Sequence, residues 1–159
     1  MFDRVAAIGI AATLLSLALS VKAQPNCTPL NVVGGEGTEV KKTSSPPTIP
    51  VPLPGPFSTS IRHNWNTDWA VPGGQVFQKF VVTIVPHETG NYNIEVYLKY
   101  PDETADEIYD QNDVPLSVNQ PLTLTAEPRS KMQPYQVNIE VGGLNAVDDT
   151  YTASVVGCR

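Results

Sequence analysis

Charge and metal-ligating side chains are scarce in this chain. Of its 159 residues only 16% are Asp, Glu, Lys or Arg, and it has two histidines and two cysteines. Two cysteines cannot make a four-thiolate zinc site or a dense disulfide scaffold. Two histidines, His63 and His87, leave few ways to build a histidine-centred active site, and His87, which follows Pro86, reads as a turn residue. Neither a G-x-S-x-G elbow nor an H-E-x-x-H pair occurs. Basic residues are outnumbered 10 to 16, giving a formal charge of −6. That balance argues against a surface built to neutralise nucleic-acid phosphates or anionic lipid. A paired-carboxylate glycosidase carries no short motif, but a chain of this size leaves little room for a substrate cleft. The expectation is therefore a protein that is not an enzyme.

Long apolar runs are also lacking, with one exception. Residues 1–23 hold Arg4, an uncharged stretch from Val5 to Val21, and the small residue Ala23 before Gln24-Pro25. This is the order of a secretory signal with cleavage after Ala23; the competing reading is an uncleaved single-span anchor. Removing 1–23 takes away Arg4, Lys22 and Asp3, leaving 8 basic and 15 acidic side chains, a net −7 over 136 residues. The mature chain has no second run of membrane-spanning length, so the expectation is an exported protein, periplasmic or extracellular. Cys27 and Cys158 then stand near the two ends of that chain in an oxidising space, which predicts a bridge between them. Asn26-Cys27-Thr28 has the glycosylation pattern, relevant only in a eukaryotic secretory route.

What the mature chain has in abundance is proline, then alternation. Residues 24–56 carry eight of the 15 prolines together with Gly34, Gly35 and Gly37. This excludes a helix and predicts polyproline II over Pro46–Pro54, either as a free PxxP-type ligand or as an arm along a sheet edge. From Phe57 the period is two. Tyr92, Ile94, Val96, Leu98 and Tyr100 alternate with polar residues, as do Leu122, Leu124 and Ala126, then Tyr135, Val137, Ile139 and Val141, then Tyr151, Ala153 and Val155. Val76 to Val85 is apolar on both faces, which predicts a central strand covered on both sides. Turn signals stand at Pro72-Gly73-Gly74, Glu88–Asn91, Pro128–Ser130 and Gly142–Asn145. The predicted fold is all-β: an antiparallel β-sandwich of six to eight strands, immunoglobulin-like or jelly-roll-like, over 57–159, preceded by the arm 24–56.

The ending Asp149-Thr150-Tyr151-Thr152-Ala153-Ser154-Val155-Val156-Gly157, following the strand with Glu95-Val96-Tyr97, resembles the closing strands of secreted bacterial immunoglobulin-like sandwiches, including pre-peptidase C-terminal domains. The likeness spans residues 75–157 and rests on pattern. It implies a non-catalytic accessory architecture.

Two stretches are candidate sites. Residues 102–113 concentrate six carboxylates, and Asp106, Asp110, Asn112 and Asp113 are the oxygen donors for a possible calcium ion, the one cofactor the sequence suggests. The spacing does not match an EF-hand loop, and the competing reading is a solvated acidic connection. The stretch His63-Asn64-Trp65-Asn66-Thr67-Asp68-Trp69 holds both tryptophans beside amides and a carboxylate. Trp65, Asn66, Asp68 and Trp69 would serve a sugar, rings stacking on its apolar face and polar groups meeting its hydroxyls. Against this, Trp65, Trp69 and Val71 share one parity and would point into the core of a continuous strand. The expected function is surface recognition of a protein partner at the cell envelope or self-association, by the arm or an edge strand. The alternative is a carbohydrate-binding module using Trp65 and Trp69, and after it a small hydrolase.

Overall fold

The structure, a computed structural model, describes residues 26–48 and 62–159. The signal sequence expected over 1–23 and most of the expected polyproline run lie outside the described residues. Within them the chain forms ten strands: β1 (Cys27–Pro29), β2 (Asn31–Val32), β3 (Glu39–Thr43), β4 (Asn66–Ala70), β5 (Lys79–Pro86), β6 (Gly90–Lys99), β7 (Ala105–Leu116), β8 (Leu122–Ala126), β9 (Gln136–Gly142) and β10 (Thr150–Cys158). All pairings are antiparallel. One sheet runs β1-β10-β5-β8, with β3 also beside β10; the other runs β2-β4-β9-β6-β7. The result is a β-sandwich.

Alternation makes the two layers. In β6 the inward residues Tyr92, Ile94, Val96 and Leu98 are fully buried, and Val137, Ile139 and Val141 of β9 lie beside them. Phe80, Val82 and Ile84 of β5 and Tyr151, Ala153 and Val155 of β10 close the core from the opposite sheet. Each large side chain removed from water here contributes about 1.5–3 kcal/mol before the chain's ordering cost is counted. Cys27 and Cys158 are bonded across 131 residues and are register partners in the β1–β10 ladder.

The seven strands β4–β10 within 57–159 match the expected six to eight. Three local details differ from expectation. Residues 27–43, rich in glycine and proline, supply β1, β2 and β3 at sheet edges, where a residue without an N–H is tolerated. The acidic connection expected over 102–113 is instead mostly strand: Ala105–Leu116 form β7, the outermost strand of its sheet, whose register with β6 shifts twice. Thirdly, β5 is central in its sheet, between β10 and β8, but only its inward face is packed; Val81, Thr83 and Val85 are half-exposed on the outer face.

Candidate functional site: the outer face of the β4-β9-β6-β7 sheet

The stretch with both tryptophans begins β4 and divides by parity. Trp69 points inward, is 0% exposed, and donates its indole N–H to the Thr38 carbonyl at 3.1 Å. A ring so enclosed cannot stack on a ligand, so Trp69 is removed from the expected sugar platform. Trp65, half-buried, precedes the strand. One side is stacked on His63 at 4.4 Å between centroids, and its Nε1 donates to the Ser45 carbonyl at 2.9 Å. Its five-membered ring also lies against Gly142, where an added Cβ would fall 2.3 Å from Trp65 Cγ; only glycine leaves that space. Trp65 is thus a wall held between His63 and Gly142 rather than an open platform.

Asn66 and Asp68 point the other way, onto the outer face, and the register sets them in rows across four strands. Asn66, Glu140, Glu95 and Asp110 are successive partners; so are Asp68, Asn138, Tyr97 and Glu107; so are Ala70, Gln136, Lys99 and Ala105. Opposed side chains in such ladders stand about 5 Å apart at Cβ. Hydrogen bonds tie the rows together. Asn138 donates from Nδ2 to Asn66 Oδ1 and, at 2.6 Å, to Asp68 Oδ1; Lys99 Nζ reaches Asp68 Oδ1 at 3.1 Å. Asn66 Nδ2 donates to Glu140 Oε2 at 3.1 Å, and the Tyr97 hydroxyl donates to Glu95 Oε2 at 2.9 Å, with Glu107 Oε2 at 3.4 Å as the other acceptor in reach of its one proton. His63 Nε2 lies 3.8 Å from Glu140 Oε1, which puts the His63–Trp65 stack at the head of the first row.

Each of these groups is held by neighbours yet keeps bonding capacity. Asn138, on the outward side, is only 4% exposed. Among the described residues no hydrogen bond engages Asn138 Oδ1 or Asp68 Oδ2, and the Lys99 ammonium uses one of its three protons. Burial pushes the Glu140 carboxyl above its usual range; Glu95 opposite adds to the rise and His63 opposes it. The Tyr97 hydroxyl is pushed up by its bond to Glu95, then by burial and by the Glu95, Glu107 and Asp110 charges, so it stays a donor at neutral pH. At the strand's other flank, Lys42 of β3 spans the gap between sheets to donate to Thr67 Oγ1 at 2.6 Å and the Asn66 carbonyl at 2.8 Å. Burial lowers its pKa, with Asp68 pulling the other way.

The four residues expected around calcium do not converge. Asp106 is gripped by Arg129, whose Nη2 and Nε donate to its two oxygens at 2.6 and 3.0 Å. Asp110, Asn112 and Asp113 follow one another along β7: Asp110 faces Glu95, while Asp113 accepts from Asn145 Nδ2 at 2.7 Å. Among the described residues no group of three or more His, Cys, Asp or Glu is placed to hold a metal ion. A cavity of about 280 Å³ lies elsewhere, at the end of the sandwich between Val76–Gln78 and Pro128–Gln133.

Glu95, Tyr97, Lys99, Gln136, Asn138 and Glu140 were not candidates from the sequence. Their signal was present as the polar half of the β6 and β9 alternation, but which polar residues meet is decided by pairing across strands up to 74 residues apart.

No protein-family model and no curated protein matches the sequence. Among solved structures the chain is similar to variants of CBM29-2, a family 29 carbohydrate-binding module described in work on its ligand recognition. The likeness covers 85% of this chain and 93% of that one at 6% identity and a TM-score of 0.44 for one variant. A second variant gives 6% identity, 92% coverage and a TM-score of 0.44, and a third 7%, 91% and 0.43. Among the described residues no helix is long and apolar enough to cross a membrane.

Proposed function

We propose that this is a non-catalytic, exported recognition protein that binds an uncharged glycan across the outer face of β4, β9, β6 and β7. One observation carries the reading: the three rows of register partners, which bring carboxylate acceptors (Glu140, Glu95, Asp68), groups with unspent protons (Asn66, Lys99) and the Tyr97 ring together on one sheet face. A sugar hydroxyl donates one hydrogen bond and accepts others, so a polyol satisfies such a mosaic without introducing a charge. Protein interfaces have the opposite composition at their centres, poor in Asp, Glu and Lys. The carboxylates of the first row, Glu140, Glu95 and Asp110, also select against uronic acids and sulfated sugars by simple repulsion. Tyr97, in the middle row, is the ring positioned for a pyranose face, and the Trp65–His63 stack bounds the site at one end.

The reading takes up the alternative, a carbohydrate-binding module, in place of the first expectation of a protein partner, and moves the site from Trp65 and Trp69 to the sheet face while keeping Asn66 and Asp68. Affinity electrophoresis and calorimetry with neutral soluble mannans, glucans and xylans, beside pectate as acidic control, test it. Binding of a neutral polymer is expected, with Tyr97→Ala and Lys99→Ala each weakening it at least about tenfold, equivalent to about 1.4 kcal/mol. Trp65 fluorescence should shift on saturation. Failure of every neutral polymer, or undiminished affinity in both variants, overturns the assignment.

A further inference from the structure

A sheet edge presents unpaired backbone N–H and C=O groups, and proteins that remain single protect such edges with charge, proline, bulges or shortness. The edges of this sandwich are protected unequally. β7 carries Asp106, Glu107, Asp110, Asp113 and Pro115 and is bulged twice. β2 is two residues long. On the far side of β10, β1 is three residues with Pro29 and the disulfide, and β3 carries Glu39, Lys41 and Lys42. β8 has none of these devices. Its sequence, Leu122-Thr123-Leu124-Thr125-Ala126, is uncharged and free of proline, and it pairs with β5 through five consecutive residues without a shift. Among the described residues it has a strand on one side only. Thr123 and Thr125 are exposed on the outer face, while Leu122 and Leu124 are half-buried against the core.

We propose that two copies of this chain join edge to edge through β8, antiparallel, about a twofold axis at Leu124. The strand's own sequence argues for a second copy as the occupant: LTLTA is uncharged and pairs with itself, so two chains of net −6 can meet there without opposing carboxylates. In this register Leu124 meets Leu124, Thr123 meets Thr125 and Leu122 meets Ala126; beyond the strand Glu127 meets Pro121. No like charges are opposed, and β-branched pairs favour the contact. The same patch serves both copies, as a closed twofold interface requires, and the inward leucines extend one core into the next. The two five-stranded sheets become one sheet of ten, with both glycan-facing sheets left open.

Sedimentation velocity on the full chain over a concentration series tests this, with the average mass expected to rise toward twice that of one copy. Thr123→Lys with Thr125→Lys sets lysines against one another across the twofold and is expected to abolish the rise while leaving the thermal melt intact. A second measurement does not depend on that variant folding. Mixed under oxidising conditions, Thr123→Cys and Thr125→Cys proteins should cross-link with each other and not with themselves. A single copy at every concentration, a dimer that persists in the lysine variant, or cross-linking between like variants overturns the proposal. So does a β8 edge occupied by another segment of the same chain or by a different protein.

Discussion

Glu140 shows how a single residue reports on the face it occupies. It sits half-buried between Asn66 and Glu95, with its pKa raised by desolvation first and by Glu95 second. A carboxyl raised in the folded state favours folding only while protonated. Its contribution is present below the usual carboxylate value and is lost as pH rises through the raised one. Glu140→Gln keeps an acceptor for Asn66 and removes the penalty. The variant should therefore melt about 1–3 °C higher than the parent at neutral pH, and the two should converge toward about pH 4. Differential scanning calorimetry across that range checks it; a variant that melts lower at neutral pH would mean the charge of Glu140 is needed by the fold. At this scale the sequence was legible by half. Parity pointed Trp69 inward, where it is found, because a two-residue period is local. It missed that Trp65 is walled in by Gly142, since that contact joins residues 77 apart and depends on a side chain glycine does not have.

β7 is the element on which composition misleads most. Six carboxylates in residues 102–113 read as a solvated connection, and in a central strand they would be untenable. At an edge the outward side chains reach water and the charges discourage a further strand, so the same composition fits an outermost position. Its beginning is fastened by Arg129, which bonds Asp106 through two nitrogens, Thr104 at 2.8 Å and Asp102 at 3.4 Å, and lies 4.0 Å over the Tyr100 ring. Both carboxyls are held below the usual range: Asp102 first by the Thr104 hydroxyl and further by the guanidinium, Asp106 chiefly by its bonds to Arg129. Groups depressed in this way favour folding above the unfolded carboxylate pKa, and that contribution is lost as pH falls through the folded values. Arg129→Lys removes the fork that engages two oxygens at once while keeping the charge. It should speed amide exchange at residues 102–107, lower the melt at neutral pH, and flatten the acid limb below about pH 4. An unchanged exchange pattern would assign the fastening of β7 to its ladder with β6 alone.

At the scale of the molecule, composition anticipated the architecture because four long strands carry clean alternation, and an all-β sandwich needs little more to be recognised. The order of strands within each sheet was not legible, since β1, β3 and β5 all meet β10 across more than sixty residues and no local signal encodes such pairings. One long-range pairing was legible through chemistry, that of Cys27 with Cys158. Its place in the fold defines what it does: β1 is three exposed residues, joined by the bridge to the last strand, and Leu30, just beyond it, is fully buried and donates its N–H to the Val155 carbonyl at 2.9 Å. The bridge therefore holds Leu30 in the core and keeps the free side of β10 covered. Closing so long a loop restricts the unfolded chain by about 5 kcal/mol on the chain-entropy model, with about 2–5 kcal/mol the usual measured range. Cys27→Ser with Cys158→Ser should lower the urea midpoint accordingly, with an unchanged slope if the denatured state stays equally exposed. Amide exchange should rise first at Leu30 and Gly157 and last in β6 and β9, which pair with each other in the opposite sheet. Neutral-glycan affinity measured below the new midpoint should equal that of the parent, because the rows on β4, β9, β6 and β7 share no strand with the bridge. Loss of affinity in a folded variant would tie the two sheets together energetically and remove the bridge from a purely structural role.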